Sequence, residues 1–340
     1  MLEEGFWKNL TKPIVGLAPM DGITDAAFRY MVATHGHPDV MFTEFTSVEG
    51  IRAGAVRLLE DFRYCEAERP IVAQLFGSDP AAFYIGAVVV AALGFDGADI
   101  NMGCPAKNVA EKGAGGALIR DPKRAQNIVR QVQTGLRDWS EGISLAEAGV
   151  PDSIINLITP TERRLLPVSI KTRIGYDTVM VEDWIRTLLE TEPAAISLHG
   201  RTLKQGYAGT ADWDAIGSAA AIVHAESDTL ILGNGDIRTL AQARERSAKY
   251  DTDGVLIGRG AFGNPWAFEY REASFKERME AALEHARYLH TIMPGKGFIR
   301  IRKHLLDYCR GADGAKEMRQ RLMKVESIAD VEAILLQFAS

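Results

Sequence analysis

Cys104 lies in the stretch Ile100-Asn101-Met102-Gly103-Cys104-Pro105-Ala106-Lys107, just past a short apolar run, with Gly103 and Pro105 fixing the turn. A free thiol titrates near about 8.5, so at neutral pH it is mostly protonated: a usable proton donor and, once ionised, a nucleophile. A lone cysteine is often just a small buried hydrophobe, so its company decides. Lys171 and Arg173 close one β-rich run, and His199 and Arg201 close another. Two glycine-rich turns follow later runs, Gly233-Asn234-Gly235-Asp236 and Gly258-Arg259-Gly260. Glycines there let backbone N–H groups approach phosphate oxygens, and Arg259 adds a charge-assisted pair.

These groups need a scaffold that brings them to one place. Short β-rich runs are predicted at 14–18, 40–43, 71–74, 97–101, 168–172, 195–199, 230–233 and 254–257, separated by amphipathic stretches such as 80–93, 122–137 and 181–190. Eight such units over about 250 residues match an α/β fold of the (β/α)8 TIM-barrel type, whose sites are built from the loops after the strands. The strand-end residues are Pro19 and Met20, Glu44, Gln74, Asn101 with Cys104, Lys171 with Arg173, His199 with Arg201, Asn234 with Asp236, and Gly258 with Arg259. A polar group after nearly every strand makes one polar mouth. The two glycine turns fall after the last two strands, where barrels commonly hold a phosphate. Lys171, His199 and Gln74 then suit a flavin: a cation beside the reduced ring's anionic edge and a hydrogen-bonding group for its pyrimidine portion. A Schiff-base lysine is the alternative use of Lys171, and it leaves Cys104 without a task. The segment Gly113-Ala114-Gly115-Gly116 follows no strand and lacks nucleotide-loop spacing, so it is expected to be a flexible stretch near Cys104.

With 340 residues, 46% of them hydrophobic, the chain has material for a large core and a smaller second unit. Its longest apolar run, 84–95, is too short to span a membrane, and Met1-Leu2-Glu3-Glu4 is no basic leader, so a cytoplasmic protein is expected. Cys65, Cys104 and Cys309 are far apart and form neither a disulfide pattern nor a zinc spacing, and no metal is expected. The net charge is −6, but 296–324 carries nine basic residues against three acidic ones. A basic module on an acidic body fits a nucleic-acid partner.

The motifs Ala18-Pro19-Met20-Asp21-Gly22-Ile23-Thr24-Asp25 with Phe28-Arg29, Gln74-Leu75-Phe76-Gly77-Ser78 and Asp99-Ile100-Asn101-Met102-Gly103-Cys104-Pro105 come in that order. They continue with Lys171-Thr172-Arg173-Ile174-Gly175, His199-Gly200-Arg201-Thr202, Asn234-Gly235-Asp236-Ile237, and Gly258-Arg259-Gly260 with Gly263-Asn264-Pro265-Trp266. Together they resemble the tRNA-dihydrouridine synthase family. The resemblance implies an FMN-binding barrel over 1–265 and a small all-helical RNA-binding domain over 266–340. It also implies NADPH as electron source, tRNA as partner and a monomeric chain. Pro19, Met20 and Asp21 would line the flavin, and Gln74, Lys171 and His199 would contact it. Asn234, Gly235, Asp236, Gly258 and Arg259 would hold its phosphate. The implied chemistry is reduction of the uracil C5=C6 bond, with hydride from the flavin and a proton from Cys104 acting as general acid. Asn101 would meet the uracil edge, Arg173 and Arg201 would reach uracil or a phosphate, and Arg302 and Lys303 would contact RNA phosphates. Two features depart from the family pattern: Asn108 where many relatives have lysine, and an insertion at about 139–166. The same reaction on ribosomal RNA, a small-molecule FMN oxidoreductase of dihydroorotate dehydrogenase type, and a non-catalytic RNA-binding relative remain the alternatives.

Overall fold

A strand covered on both faces needs no polar–apolar alternation, and the short runs here are buried at nearly every position. The computed structural model describes residues 5–294, 298–311 and 314–338. Its strands are β1 (Ile14–Leu17), β2 (Val40–Phe42), β3 (Thr46–Ser47), β4 (Ile71–Phe76), β5 (Gly97–Met102), β6 (Val168–Arg173), β7 (Ala195–His199), β8 (Leu230–Asn234) and β9 (Gly254–Ile257). All pairings are parallel. β1 joins both β2 and β9, and β2 joins β4, so eight strands close into the expected barrel. β3 is an addition to expectation: two residues laid against Leu75 and Phe76 of β4.

Between the strands run α1 (Ala26–Gly36), α2 (Val48–Arg52), α3 (Pro80–Ala92), α4 (Lys107–Ala110), α5 (Pro122–Glu141), α6 (Asp152–Ile155), α7 (Val181–Leu189), α8 (Trp213–Glu226) and α9 (Leu240–Tyr250). Their starts are specified locally. Asp25, Asp79, Asp121, Asp212 and Thr239 each accept a hydrogen bond from a first-turn backbone N–H, satisfying donors the helix itself leaves open. Inside the barrel, Ile14, Val40, Phe42, Val72, Ala195, Leu232 and Leu256 fill the lower layers and Trp7 plugs the end. That packing leaves only the carboxyl-terminal mouth open to ligands.

The chain then adds α10 (Phe275–Ile292), α11 (Phe298–Tyr308), α12 (Ala315–Leu322) and α13 (Ile328–Phe338). Their apolar faces share a second core with Ala27 and Met31 of α1, and Tyr30 stacks on Tyr288 with centroids 3.7 Å apart. The helical unit is thus docked on the barrel through α1.

The expected insertion begins inside α5, which runs on to Glu141. Arg163 lies 4.0 Å over the buried Trp139 ring, and Arg164 Nη2 donates to Phe95 O (2.7 Å) and Asp96 Oδ1 (2.8 Å). Those contacts lie just before β5, at the barrel end opposite Cys104. The glycine segment near Cys104 is built in rather than loose. Gly116 N donates to Cys104 O (3.2 Å), and a Cβ at Gly115, whose φ is +58°, would sit 3.1 Å from Cys104 Cβ.

Candidate active site

Alternate residues of a strand face the same side, so 99 and 101 on β5, 169, 171 and 173 on β6, and 197 and 199 on β7 share the barrel interior. Above the apolar layers the interior turns polar. Ser169 Oγ donates to Asp99 Oδ1 (2.6 Å), Gln74 Nε2 to Asp99 Oδ2 (2.7 Å), and Asn101 Nδ2 to Gln74 Oε1 (2.9 Å). Asn101 Oδ1 in turn accepts from Gly103 N (3.1 Å) and Cys104 N (2.9 Å). A relay of four side chains therefore aims the Cys104 loop. Asn101 keeps one amide N–H for a ligand. Asp99 was not singled out by the sequence reading, although it lies two residues before Asn101 on the same face.

On the neighbouring strand, Lys171 Nζ donates to Asn234 Oδ1 (3.1 Å), whose Nδ2 donates to Leu256 O (2.9 Å). Burial pushes the Lys171 ammonium down to about 8, helped by Arg173 and opposed by Asp99 and Cys104. Burial pushes Asp99 up to about 6 against its hydrogen bonds and Lys171. His199 falls far below the ordinary imidazole value, first through burial and then through Lys171, Arg173, Arg201 and Arg259, so the ring is neutral. Burial also raises the Cys104 thiol, with Asp21 adding to it and the Ala106 backbone, Arg173 and Lys171 opposing. The outcome is a protonated thiol beside a cationic wall.

Arg173 and Arg201 are buried and occupied. Arg173 donates to Gly103 O (2.6 Å), Thr202 O (3.1 Å) and Gly206 O (2.9 Å), tying the Cys104 loop to the loop after β7. Arg201 donates to Ala208 O (3.1 Å), Gly209 O (2.6 Å) and Asp236 Oδ2 (2.7 Å), with Nη1 3.3 Å from His199 Nε2. Asp236 also accepts from Arg259 Nη2 (3.0 Å) and Ala211 N (2.8 Å). Its carboxylate is thus spent on arginines, and what Asp236 offers an anion is its backbone. Among the described residues, no acceptor within the chain faces the N–H groups of Gly235 and Asp236. Arg259 stands beside them half exposed, so this corner fits a phosphate. A Cβ at Gly258 would lie 3.3 Å from Met20 Sδ, which places the Pro19-Met20-Asp21 loop against the same corner. Tyr207 is 65% exposed and lies over Arg173 (6.0 Å) and Arg259 (5.7 Å), an aromatic at the rim that the sequence reading passed over.

Glu44 ends β2 on the side of the helical unit, and burial, aided by Asp25, lifts its carboxyl to about 7. Arg302 and Lys303 sit at that junction rather than on an open face. Arg302 Nε donates to Val325 O (2.9 Å), and Lys303 Nζ donates to Gly22 O and lies 3.6 Å from Asp25 Oδ2. Lys296, part of the basic stretch, is outside the described residues.

The family model for dihydrouridine synthase matches residues 16–138 and 150–340. The chain belongs to the dihydrouridine synthase family. The unmatched residues 139–149 open the expected insertion, while 150–166 lie within the family pattern. A probable tRNA-dihydrouridine synthase of Staphylococcus aureus strain COL is 35% identical, covering 99% of this chain and 96% of that one. Probable tRNA-dihydrouridine synthase 2 of Bacillus subtilis strain 168 is 34% identical, covering 99% and 97%. Among solved structures, DHODH from Eimeria tenella aligns with TM-score 0.48 at 14% identity, over 77% of this chain and 81% of that one. As a dihydrouridine synthase family enzyme, the chain carries its candidate groups on one barrel mouth. No described helix is long and apolar enough to cross a membrane.

Proposed function

We propose that this family member is an FMN-dependent tRNA-dihydrouridine synthase, reduced by NADPH and working as a cytoplasmic monomer. One observation carries the reading: Asn101 holds the backbone of Cys104, whose thiol stays protonated, on the rim of a mouth where the neighbouring strand presents the Lys171 ammonium. The residues fit the cofactor. Gly235, Asp236, Gly258 and Arg259, with Asn234, would hold the ribityl phosphate; Pro19, Met20 and Asp21 would line the ring; Lys171 and His199 would meet its polar edge, while Gln74, expected there too, is buried behind it on Asp99 and Asn101. When bound, FMN supplies the hydride that adds to uracil C6.

Everything else falls to the chain. A base stacked in RNA is out of reach, so the target uridine is extruded into the mouth at a cost of a few kcal/mol. Asn101 presents its remaining amide N–H to the uracil edge. Arg173 and Arg201, buried on loop carbonyls and on Asp236, shape the loops round the base rather than reaching uracil or a phosphate as the resemblance implied. Cys104 Sγ gives its proton to C5, which balances hydride addition at C6, and the thiolate left behind regains a proton from solvent. Thiolate formation is favoured by Lys171 and Arg173, the same cations that pull against burial on the free thiol. Arg302 and Lys303, at the junction, meet phosphates beside the mouth and orient the RNA.

The purified protein is expected to be yellow, to bleach on adding NADPH, and to convert uridine to dihydrouridine in unmodified tRNA. Colourless protein whose spectrum does not change when FMN is added would remove the flavin from this reading. Product confined to ribosomal RNA or to a free pyrimidine would remove tRNA.

A further inference from the structure

Asp25, His285 and His304 come from three different segments, the N-cap of α1, the middle of α10 and α11, and meet in the core between barrel and helical unit. All three are buried, and their ligand atoms lie within 4.8 Å of one another. We propose that they form a divalent transition-metal site, suited to Zn²⁺, that staples the helical unit to the barrel.

Two of the three donors already have ligand spacing. Tetrahedral zinc with bonds of about 2.0–2.1 Å to nitrogen and oxygen sets its donors about 3.4 Å apart. His304 Nε2 and Asp25 Oδ2 are 3.2 Å apart, a hydrogen bond whose proton is released to solvent when the ion takes its place. The third donor is His285. Its Nδ1 lies 3.3 Å from Tyr308 Oη, while Nε2 is buried without any hydrogen-bond partner. A fully buried imidazole nitrogen left open costs desolvation that nothing repays, unless it serves an acceptor's role. With Nδ1–H given to Tyr308, Nε2 carries the lone pair, the arrangement in which an outer partner fixes a ligating histidine's tautomer. The rings of His285 and His304 are 4.7 Å apart and tilted 35°, close enough for a small side-chain rotation to bring both nitrogens onto one ion.

The contacts around Asp25 leave one carboxylate oxygen for a cation. Asp25 Oδ1 is spent on Phe28 N (3.0 Å), which leaves Oδ2 as the ligand. Lys303 is the opposing charge, but its ammonium is held by Gly22 O and stands 3.6 Å from Oδ2, beyond hydrogen-bond reach. Two imidazoles and one carboxylate select zinc, iron(II) or cobalt(II) over magnesium or calcium, which demand an oxygen shell. A water completes the coordination.

The test uses full-length protein, stripped with a chelator and titrated first with Zn²⁺ and then with Co²⁺ as a spectroscopic probe. One equivalent is expected, raising the melting temperature, with X-ray absorption showing two imidazole nitrogens and oxygen. His285→Gln is expected to weaken binding by at least a hundredfold, and Tyr308→Phe, which removes only the outer partner, by about ten- to a hundredfold. Folding of each variant is checked by circular dichroism. Stripped wild type that stays folded and takes up no stoichiometric metal overturns the site. So does undiminished uptake by a folded His285→Gln, or a sulfur-ligated spectrum. None of these readouts involves flavin or RNA, so they stand or fall apart from the reading of the barrel mouth.

Discussion

The barrel mouth and the helical unit both hold positive charge, and they hold it in opposite ways. At the mouth, Arg173 and Arg201 are each buried and locked onto three backbone or carboxylate partners, and Lys171 is partly desolvated and fixed to Asn234. On the helices, Arg300, Lys316 and Lys324 stand in solvent, while Arg302 and Lys303 are half-buried at the junction. A locked, dehydrated cation does not reorganise when charge develops on a bound ring or base, so it contributes to chemistry. A solvated cation is screened within about 8–10 Å and acts chiefly on long-range attraction to a polyanion. If the proposed function holds, position alone separates catalytic from steering charge, although the residue types are the same.

The largest effect is expected where the mouth donates its proton. Cys104→Ala should cut product formation by roughly 10²–10⁴-fold while flavin content and reduction by NADPH are kept. Near-normal turnover in a single-turnover assay would end its role as acid. Next comes the buried arginine network. Arg201→Met leaves Asp236 with Arg259 and Ala211 N and frees two loop carbonyls, which should cost on the order of 3 kcal/mol in urea unfolding with an unchanged m value. A loss under about 1 kcal/mol, the net worth of one ordinary hydrogen bond, would mean the lock is not what holds the loop after β7.

The scaffold was open to sequence reading because each strand is short, apolar and followed by a polar group. The eight barrel strands came within two residues of the expected ends. What escaped was whatever depends on the third dimension. β3 is two residues long and has no pattern of its own; it exists because β4 offers an edge at Leu75 and Phe76. Asp99 sits inside a quoted motif, but its standing as the base of the Asn101 relay rests on Gln74 and Ser169, which come from neighbouring strands. Asp25 is separated from His285 and His304 by hundreds of residues, and the three share no spacing. Conversely, Arg302 and Lys303 were legible as charges, while their partners, Val325 O and Gly22 O, were not, since no pattern announces which backbone carbonyl a helix will meet.

A smaller effect concerns pH. The Lys171 ammonium titrates at about 8, whereas the Cys104 thiol is raised above its ordinary value and His199 is neutral over the working range. Raising pH therefore discharges Lys171 first, and about a tenth of the ammonium form remains one unit above its midpoint. The rate of flavin reduction by NADPH should fall with an alkaline limb near 8, and Lys171→Arg, which keeps its charge, should carry that limb upward. A limb that stays in place in the arginine variant assigns it to another group.

The smallest effect tests the steering side. Lys324→Glu changes an exposed charge, so folding stability should move by no more than about 0.5 kcal/mol. RNA affinity should nevertheless drop, and the slope of log affinity against log salt should shrink by about 0.9 for each phosphate that is no longer neutralised. Arg302→Glu should weaken RNA binding in the same salt-dependent way and spare flavin content. It should also lower the melting temperature, because it removes the hydrogen bond to Val325 O that ties α11 to the turn before α13. If the two variants lose stability equally, the junction is no more locked than the open face. If neither alters the salt slope, the basic helices are not where the polyanion lies, and the cations at the mouth must do both jobs.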